Sequence, residues 1–313
     1  MPHGPPGRPP AARVEETRLL MGTIANLTVI SADPDRGRLA IVAAFGTMER
    51  LEGVLSRFLP DSQVSRLNQD GRLDRPDDAL QAVLARALEY AQLTGGAFDV
   101  SVEPLLAAYR RSAASGASLP EMERRRLISA VDYRAIELQP GWVRFKRPGM
   151  AVTLDGIAKG YVIDEGTRAL RERGLDGILV EVGGDLMCGS QGDGPWRVGI
   201  QAPRATGEGQ RVGIAVLYEG AMASSGDYLN AFTQDYRLHH ILDPRWGVSP
   251  AELASTCVVA PTAMDADALS TSLMVLGFHA GLKLVERLPG VEALLVGKDQ
   301  RVAASSGFTW EPA

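Results

Sequence analysis

The sequence predicts an α+β fold with a largely antiparallel sheet, on three observations. Long segments carry apolar residues at helical period, many short apolar runs of strand length are joined by glycine-containing links, and the elements follow no regular strand–helix alternation. The first strand is expected over LLMGTIANLTVI. The turn at Asp33 and Pro34 then opens an amphipathic helix from about Arg36 to Phe58, striped by Leu39, Val42, Ala43, Leu51, Val54, Leu55 and Phe58. A second helix spans about Asp77 to Leu93, buries Leu80, Val83, Leu84, Ala87 and Leu88, and stops at Gly95 and Gly96, which readily take a left-handed cap. Helical pieces near Val102–Tyr109 and Pro120–Ser129 precede short strands near Ala135–Leu138, Val143–Lys146 and Val152–Leu154. Ile157–Arg173 reads as a helix and ILVEV as a strand. Further strands are expected at Trp196–Gln201, Val212–Tyr218, Arg237–Leu242 and Ser255–Ala260. A helix beginning at Thr262, another over about Ala280–Arg287, and strands near Val291–Val296 and Arg301–Ala304 close the chain.

Composition excludes several classes. At 313 residues and 45% hydrophobic content the chain can bury one large core or two lobes. The net charge of −5, with Arg124, Arg125 and Arg126 as the one dense basic run, argues against a nucleic-acid binder. Cys188 and Cys257 stand in unrelated contexts, which argues against a disulfide framework or a thiolate zinc site. The opening MPHGPPGRPPAAR lacks the apolar stretch of a secretory signal and a cysteine for lipid attachment, so a cytoplasmic protein is expected, with residues 1–16 disordered and 17–313 forming one domain. No segment reads as a bilayer span, and no stable membrane insertion is expected.

Chemistry gathers in a few places. Thr262 followed by Asp265 is a helix start, and beyond it Asp267 and Thr271 lie one turn apart on one face, an oxygen pair suited to a hard cation such as Mg²⁺ or to a solvated helix end. TLDGIAKGY puts Asp155 and Gly156 before a helix with Lys159 in its first turn, where free amides and an ammonium can face a diphosphate, or simply form a turn. EVGGDL adds Gly183, Gly184 and Asp185 at a strand end, where close backbone approach to a ligand or a plain tight turn would each fit. SSGDYLNAF offers Asp227, and LHHILDPRWG offers His239 and His240, which strand alternation would point to opposite faces, so that at most one enters a shared site. Neither a P-loop nor a GxGxxG between strand and helix is present.

Taken in order, MGT at Met21, FLPDSQVSRLN from Phe58, GGAFDVSVEPL from Gly95, DGIAKGY, EVGGDL, SSGDY, HILDPRWG and APTAMDADALST resemble the ApbE family of FAD:protein FMN transferases over roughly Leu20 to Gly277. The resemblance implies a T-fold-like α+β architecture with two structural repeats, a two-lobed domain over 17–313, an FAD cleft between the lobes, and Mg²⁺ dependence. It assigns Asp267 and Thr271 to the metal, with a backbone carbonyl at Gly156 as third ligand and Ala158 as the alternative. Met21, Phe58, Ala97, Phe98, Asp99, Thr153, Lys159 and Ile241 fall on flavin-contacting positions.

The implied reaction moves FMN from FAD to a Thr or Ser hydroxyl of an acceptor flavoprotein and releases AMP, with His240 as the base and Asp227 orienting it or the acceptor. The acceptor is expected to carry a D-x-x-[ST]-G-A-[ST] segment, which this chain lacks. Hydrolysis of FAD to FMN and AMP, or FAD storage without chemistry, are the alternatives. Departures from the family pattern are Thr153 for an acid, Asp155 for a glycine, Glu181 for asparagine, Leu229 and Asn230 for Glu and Arg, and Trp246 for threonine.

Overall fold

A computed structural model describes residues 12–192, 194–204 and 209–313. Residues 1–11 of the expected disordered segment lie outside these, and Ala12–Glu16 already belong to a strand. What reads as a single first strand is a hairpin of β1 (Ala12–Leu20) and β2 (Thr23–Ser31), turned at Met21 and Gly22, which both take positive φ. Helix α1 (Pro34–Leu55) starts where the Asp33 carboxylate accepts the Asp35 and Arg36 amides. Its buried stripe is Ala40, Ile41, Ala44, Phe45, Met48 and Leu51, so the expected phase is corrected: Leu39 and Val42 face solvent, and Phe58 lies beyond the helix end.

Then come α2 (Gln63–Asp70), unforeseen although Ser62 caps it and Gly71 ends it, β3 (Arg72–Asp74), and α3 (Asp78–Leu93), capped by Asp77. Next are α4 (Glu103–Ala114), α5 (Glu121–Ile128), β4 (Ile136–Gln139), β5 (Trp142–Phe145) and α6 (Ala158–Arg171). Residues 152–154 are not a strand. The strands β6 (Ile178–Val182), β7 (Asp185–Cys188), β8 (Trp196–Gln201), β9 (Arg211–Leu217), β10 (Gly220–Gly226) and β11 (Leu253–Ala260) lead to α7 (Ala263–Val285). The chain ends in β12 (Glu292–Gly297), β13 (Val302–Ala304) and β14 (Trp310–Pro312).

The main sheet is antiparallel throughout, in the order β1-β2-β6-β7-β10-β11-β12-β13. Helices α1, α6 and α7 cover one face, and the three-stranded β14-β9-β8 sheet packs over part of the other through Trp196, Ile200, Leu217 and Phe308. Alternation sets the faces: in β6, Ile178, Val180 and Val182 point into the helical core. Each fully buried Leu, Ile or Phe there contributes roughly 1.5–3 kcal/mol relative to exposure.

One expectation about α7 changes. It is long and apolar enough to cross a bilayer, yet much of it is buried between sheet and α6, as a core helix. The two helices expected near the C-terminus are both present within it, separated by a kink at Gly277 (φ 75°), where the Glu252 carboxylate accepts the Phe278 amide. The expected strand Arg237–Leu242 is instead turn structure tied by one bridge between Ala231 and His239.

Candidate active site

A cleft of about 690 Å³ opens where the β1–β2 turn, the loop after α1, the 97–102 segment, the start of α6, the end of β10 and the start of α7 meet. Met21, Phe58, Ala97, Phe98, Asp99, Thr153, Gly156, Ala158, Lys159, His240, Ile241, Asp267 and Thr271 all line it, brought together from across the sequence.

Helix packing makes the polar corner. Gly160, in the first turn of α6, lets α7 approach so closely that a Cβ there would stand 2.2 Å from the Ala263 carbonyl oxygen. Its amide donates to the Asp267 carboxylate at 3.1 Å, which places that acid at the positive end of α6. Asp164, farther along α6, accepts the Ala263 and Met264 amides and so holds the start of α7, whose Asp265 amide donates to Thr262 as its cap. A Cβ at Gly156 would lie 2.9 Å from Thr271 Oγ1, so this backbone runs directly against the hydroxyl. Ser225 bonds Ser270 at 2.7 Å and lies 3.4 Å from Thr271.

Lys159 crosses the corner to pair with Asp185, whose other oxygen accepts the Ser224 amide at 3.0 Å. Burial opposes its charge, but the Asp185 and Asp267 carboxylates outweigh burial and raise its pKa. Burial pushes Asp267 up, and Asp185 adds to it, so this acid stands in a setting a cation would relieve. The Asp267 carboxylate and the Thr271 hydroxyl are oxygen donors of the kind Mg²⁺ prefers, and among the described residues no three His, Cys, Asp or Glu side chains form a metal-binding group. The corner fits a hard cation.

Of the amides at the start of α6, those of Ile157 and Ala158 donate to the Leu154 carbonyl and that of Gly160 to Asp267, so these three are engaged within the protein. The positive groups facing the cleft are side chains, two of them unforeseen. Arg57, stacked 3.9 Å over the Phe58 ring, donates to Asp155 at 2.6 Å, and Arg110 bonds Glu103 at 3.2 Å and reaches Asp155 at 3.5 Å. Asp155, the departure beside Gly156, thereby has its carboxylate paired with two guanidinium groups. Glu181, another departure, accepts the Gly184 amide and, at 2.6 Å, the Asn26 side chain, fixing the glycine turn against the hairpin.

The two histidines part as expected, though not through strand alternation. His239 is fully buried behind the cleft and burial lowers it to about 4, while His240 lines the cleft. Burial lowers His240 too, leaving a neutral imidazole at pH 7, and its buried Nδ1 has no hydrogen-bond partner. Asp227 does not fit the orienting role. It lies outside the cleft lining, fully buried, with both oxygens accepting from Arg204 at 2.7 Å and Lys298 Nζ 3.4 Å from Oδ2. Asp99 lines the cleft but spends its oxygens on the Ser101 and Tyr133 amides and the Ser101 hydroxyl, bracing the 97–102 segment.

A family model described as the ApbE family matches residues 21–295. The FAD:protein FMN transferase of Treponema pallidum is 32% identical over 326 residues, covering 95% of this chain and 89% of its own. That of Haemophilus influenzae is 31% identical over 285 residues, covering 85% and 82%. Among solved structures, the ApbE protein of Thermotoga maritima superposes with a TM-score of 0.83 at 27% identity, over 94% of this chain and 97% of that one. The apo form of Pseudomonas stutzeri flavinyl transferase ApbE gives 0.82 at 27% identity, over 95% of each.

Proposed function

The chain belongs to the ApbE family, and from that premise we propose that it is a Mg²⁺-dependent FAD:protein FMN transferase, moving FMN from FAD to a Thr or Ser hydroxyl of an acceptor flavoprotein with release of AMP. The observation that carries the reading is the meeting, in one cleft, of apolar walls from Met21, Phe58 and Ile241 with the Lys159–Asp267–Thr271 corner. An isoalloxazine ring needs the first and a diphosphate needs the second.

Asp267, Thr271 and the Gly156 carbonyl would hold Mg²⁺, which when bound supplies charge neutralisation at the diphosphate. The protein's own residues do the rest. The Lys159 ammonium adds fixed positive charge where negative charge develops as the linkage breaks. Phe58, with Arg57 against one face, offers its ring to the flavin. His240 takes the acceptor hydroxyl proton, the acceptor oxygen bonds to the FMN-side phosphorus, and the bond from that phosphorus to the bridging oxygen breaks, so AMP leaves. A neutral imidazole is the form required, and burial favours it.

The test is intact-mass measurement after incubation with FAD, Mg²⁺ and a protein carrying a D-x-x-[ST]-G-A-[ST] segment. Transfer adds FMN to the acceptor and frees AMP. Free FMN and AMP without an adduct would make the protein a hydrolase, and unchanged FAD would make it a storage protein.

A further inference from the structure

The outward face of the β1–β2 hairpin changes character at the cleft. At the far end Arg13 lies opposite Ile30, which packs against the second apolar cluster, and the two middle pairs are polar: Glu15 opposite Thr28, with 3.4 Å between side-chain oxygens, and Thr17 opposite Asn26, bonded at 2.7 Å. The last pair on this outward face is Leu19 opposite Ile24, 83% and 53% exposed, while their neighbours Leu20 and Ala25 point into the core. A solvent-facing strand surface gains nothing from such a pair at its end, and a single exposed leucine would need no comment. The location matters here: the next three residues, Met21, Gly22 and Thr23, line the cleft, and Phe58 and Leu229 are exposed apolar residues lining the same opening.

We infer that Leu19 and Ile24 are a docking contact for the folded acceptor protein, outside the flavin site itself. The inference rests on the transferase reading. If the attacking hydroxyl arrives on a protein, that protein must cover the rim of this cleft, and the hairpin end is apolar rim beyond the reach of a flavin held between Met21 and Ile241. The partner surface it fits is an apolar patch of the acceptor flavoprotein beside the modified Thr or Ser. A short peptide bearing only the target segment would fill the cleft mouth without reaching the pair.

The experiment compares steady-state FMN transfer to a folded flavoprotein domain carrying the D-x-x-[ST]-G-A-[ST] segment with transfer to a short peptide of the same segment. The enzymes are the wild type, Leu19→Asp with Ile24→Asp, and the milder Leu19→Ser with Ile24→Thr, which keeps a β-branched residue in the strand. Both variants are expected to raise KM for the domain tenfold or more. Meanwhile kcat, the FAD Kd and KM for the peptide stay within twofold, and the melting temperature is unchanged. A domain KM within twofold of wild type in both variants overturns the inference. So does an unchanged domain KM accompanied by loss of a wild-type dimer in sedimentation or of binding to phosphatidylcholine vesicles. Transfer by the wild type to neither acceptor removes the transferase reading, and this inference with it.

Discussion

Replacing Gly160 by alanine sets helix propensity against packing. Glycine inside a helix costs about 1 kcal/mol relative to alanine, so propensity alone predicts a more stable protein. The added Cβ, however, would stand 2.2 Å from the Ala263 carbonyl oxygen, 2.5 Å from its carbon and 2.6 Å from Met264 Cα, all backbone atoms that cannot rotate away. Relief requires α6 and α7 to part by roughly 1 Å, and overpacking of this kind costs about 1–3 kcal/mol, occasionally more. A rigid backbone obstacle puts Gly160→Ala at the upper end, so the net loss is about 2 kcal/mol, or roughly 3 °C in melting temperature for a chain of this length. The same displacement carries Asp267 away from the Gly160 amide that now fixes it, and a shift of about 1 Å in a reacting group can cost about 10²-fold in rate. Calorimetry and transfer rate together form the assay. A variant that melts at or above the wild-type temperature and transfers within twofold of it would refute the packing argument.

Other consequences follow from single groups. Asp227→Asn breaks a buried pair and is expected to destabilise by about 3 kcal/mol in urea unfolding while leaving kcat within tenfold; lost transfer at unchanged stability would restore a role in the chemistry. His240→Ala is expected to lower kcat by about 10²- to 10⁴-fold and to erase an acid limb lying below the ordinary histidine pKa of 6.5, because burial favours the neutral ring; a pH profile shared with wild type contradicts this. Burial raises Asp164 from 3.8 to about 6 against the pull of two α7 amides. Its folded state therefore holds the proton more tightly, and the resulting stability, full below about pH 3.8, is lost as pH rises through about 6. The unfolding free energy of wild type minus that of Asp164→Asn should fall by about 2 kcal/mol between pH 4.5 and 7.5, and a flat difference would count against the burial argument.

Much of this fold is legible because its local signals agree with its packing. The cap at Thr262, the run of α3 between Asp77 and the glycine pair, and the alternation in β6 each specify an element without help from elsewhere. The misreadings have physical reasons. The β1–β2 turn hides because Met21, a non-glycine residue with φ 53°, continues the apolar run through it. β10 is built of Gly, Ala and Ser with a single Met, which carry little strand preference, and it forms because β7 and β11 pair with it on both sides. In α1, Leu39 and Val42 belong to the wrong face because the buried stripe runs through alanines that sequence weighting favours less. The site residues on glycine- and acid-rich motifs came through the family resemblance. Arg57 and Arg110 join them only through contacts across long stretches of chain, as does the Arg204 partner of Asp227, which lies outside the cleft lining.

The dependence of transfer on Asp267 tests the central claim most directly. With saturating FAD and acceptor, wild-type transfer followed by acceptor mass is expected to rise with Mg²⁺ and to stop with a chelator. Asp267→Asn, which keeps the size and the contact to Gly160 but removes the charge, is expected to lose transfer by about 10²-fold or more at every Mg²⁺ concentration. Equal transfer by Asp267→Asn, or wild-type transfer undiminished by chelation, would contradict the account of this corner as the metal-holding centre of the reaction.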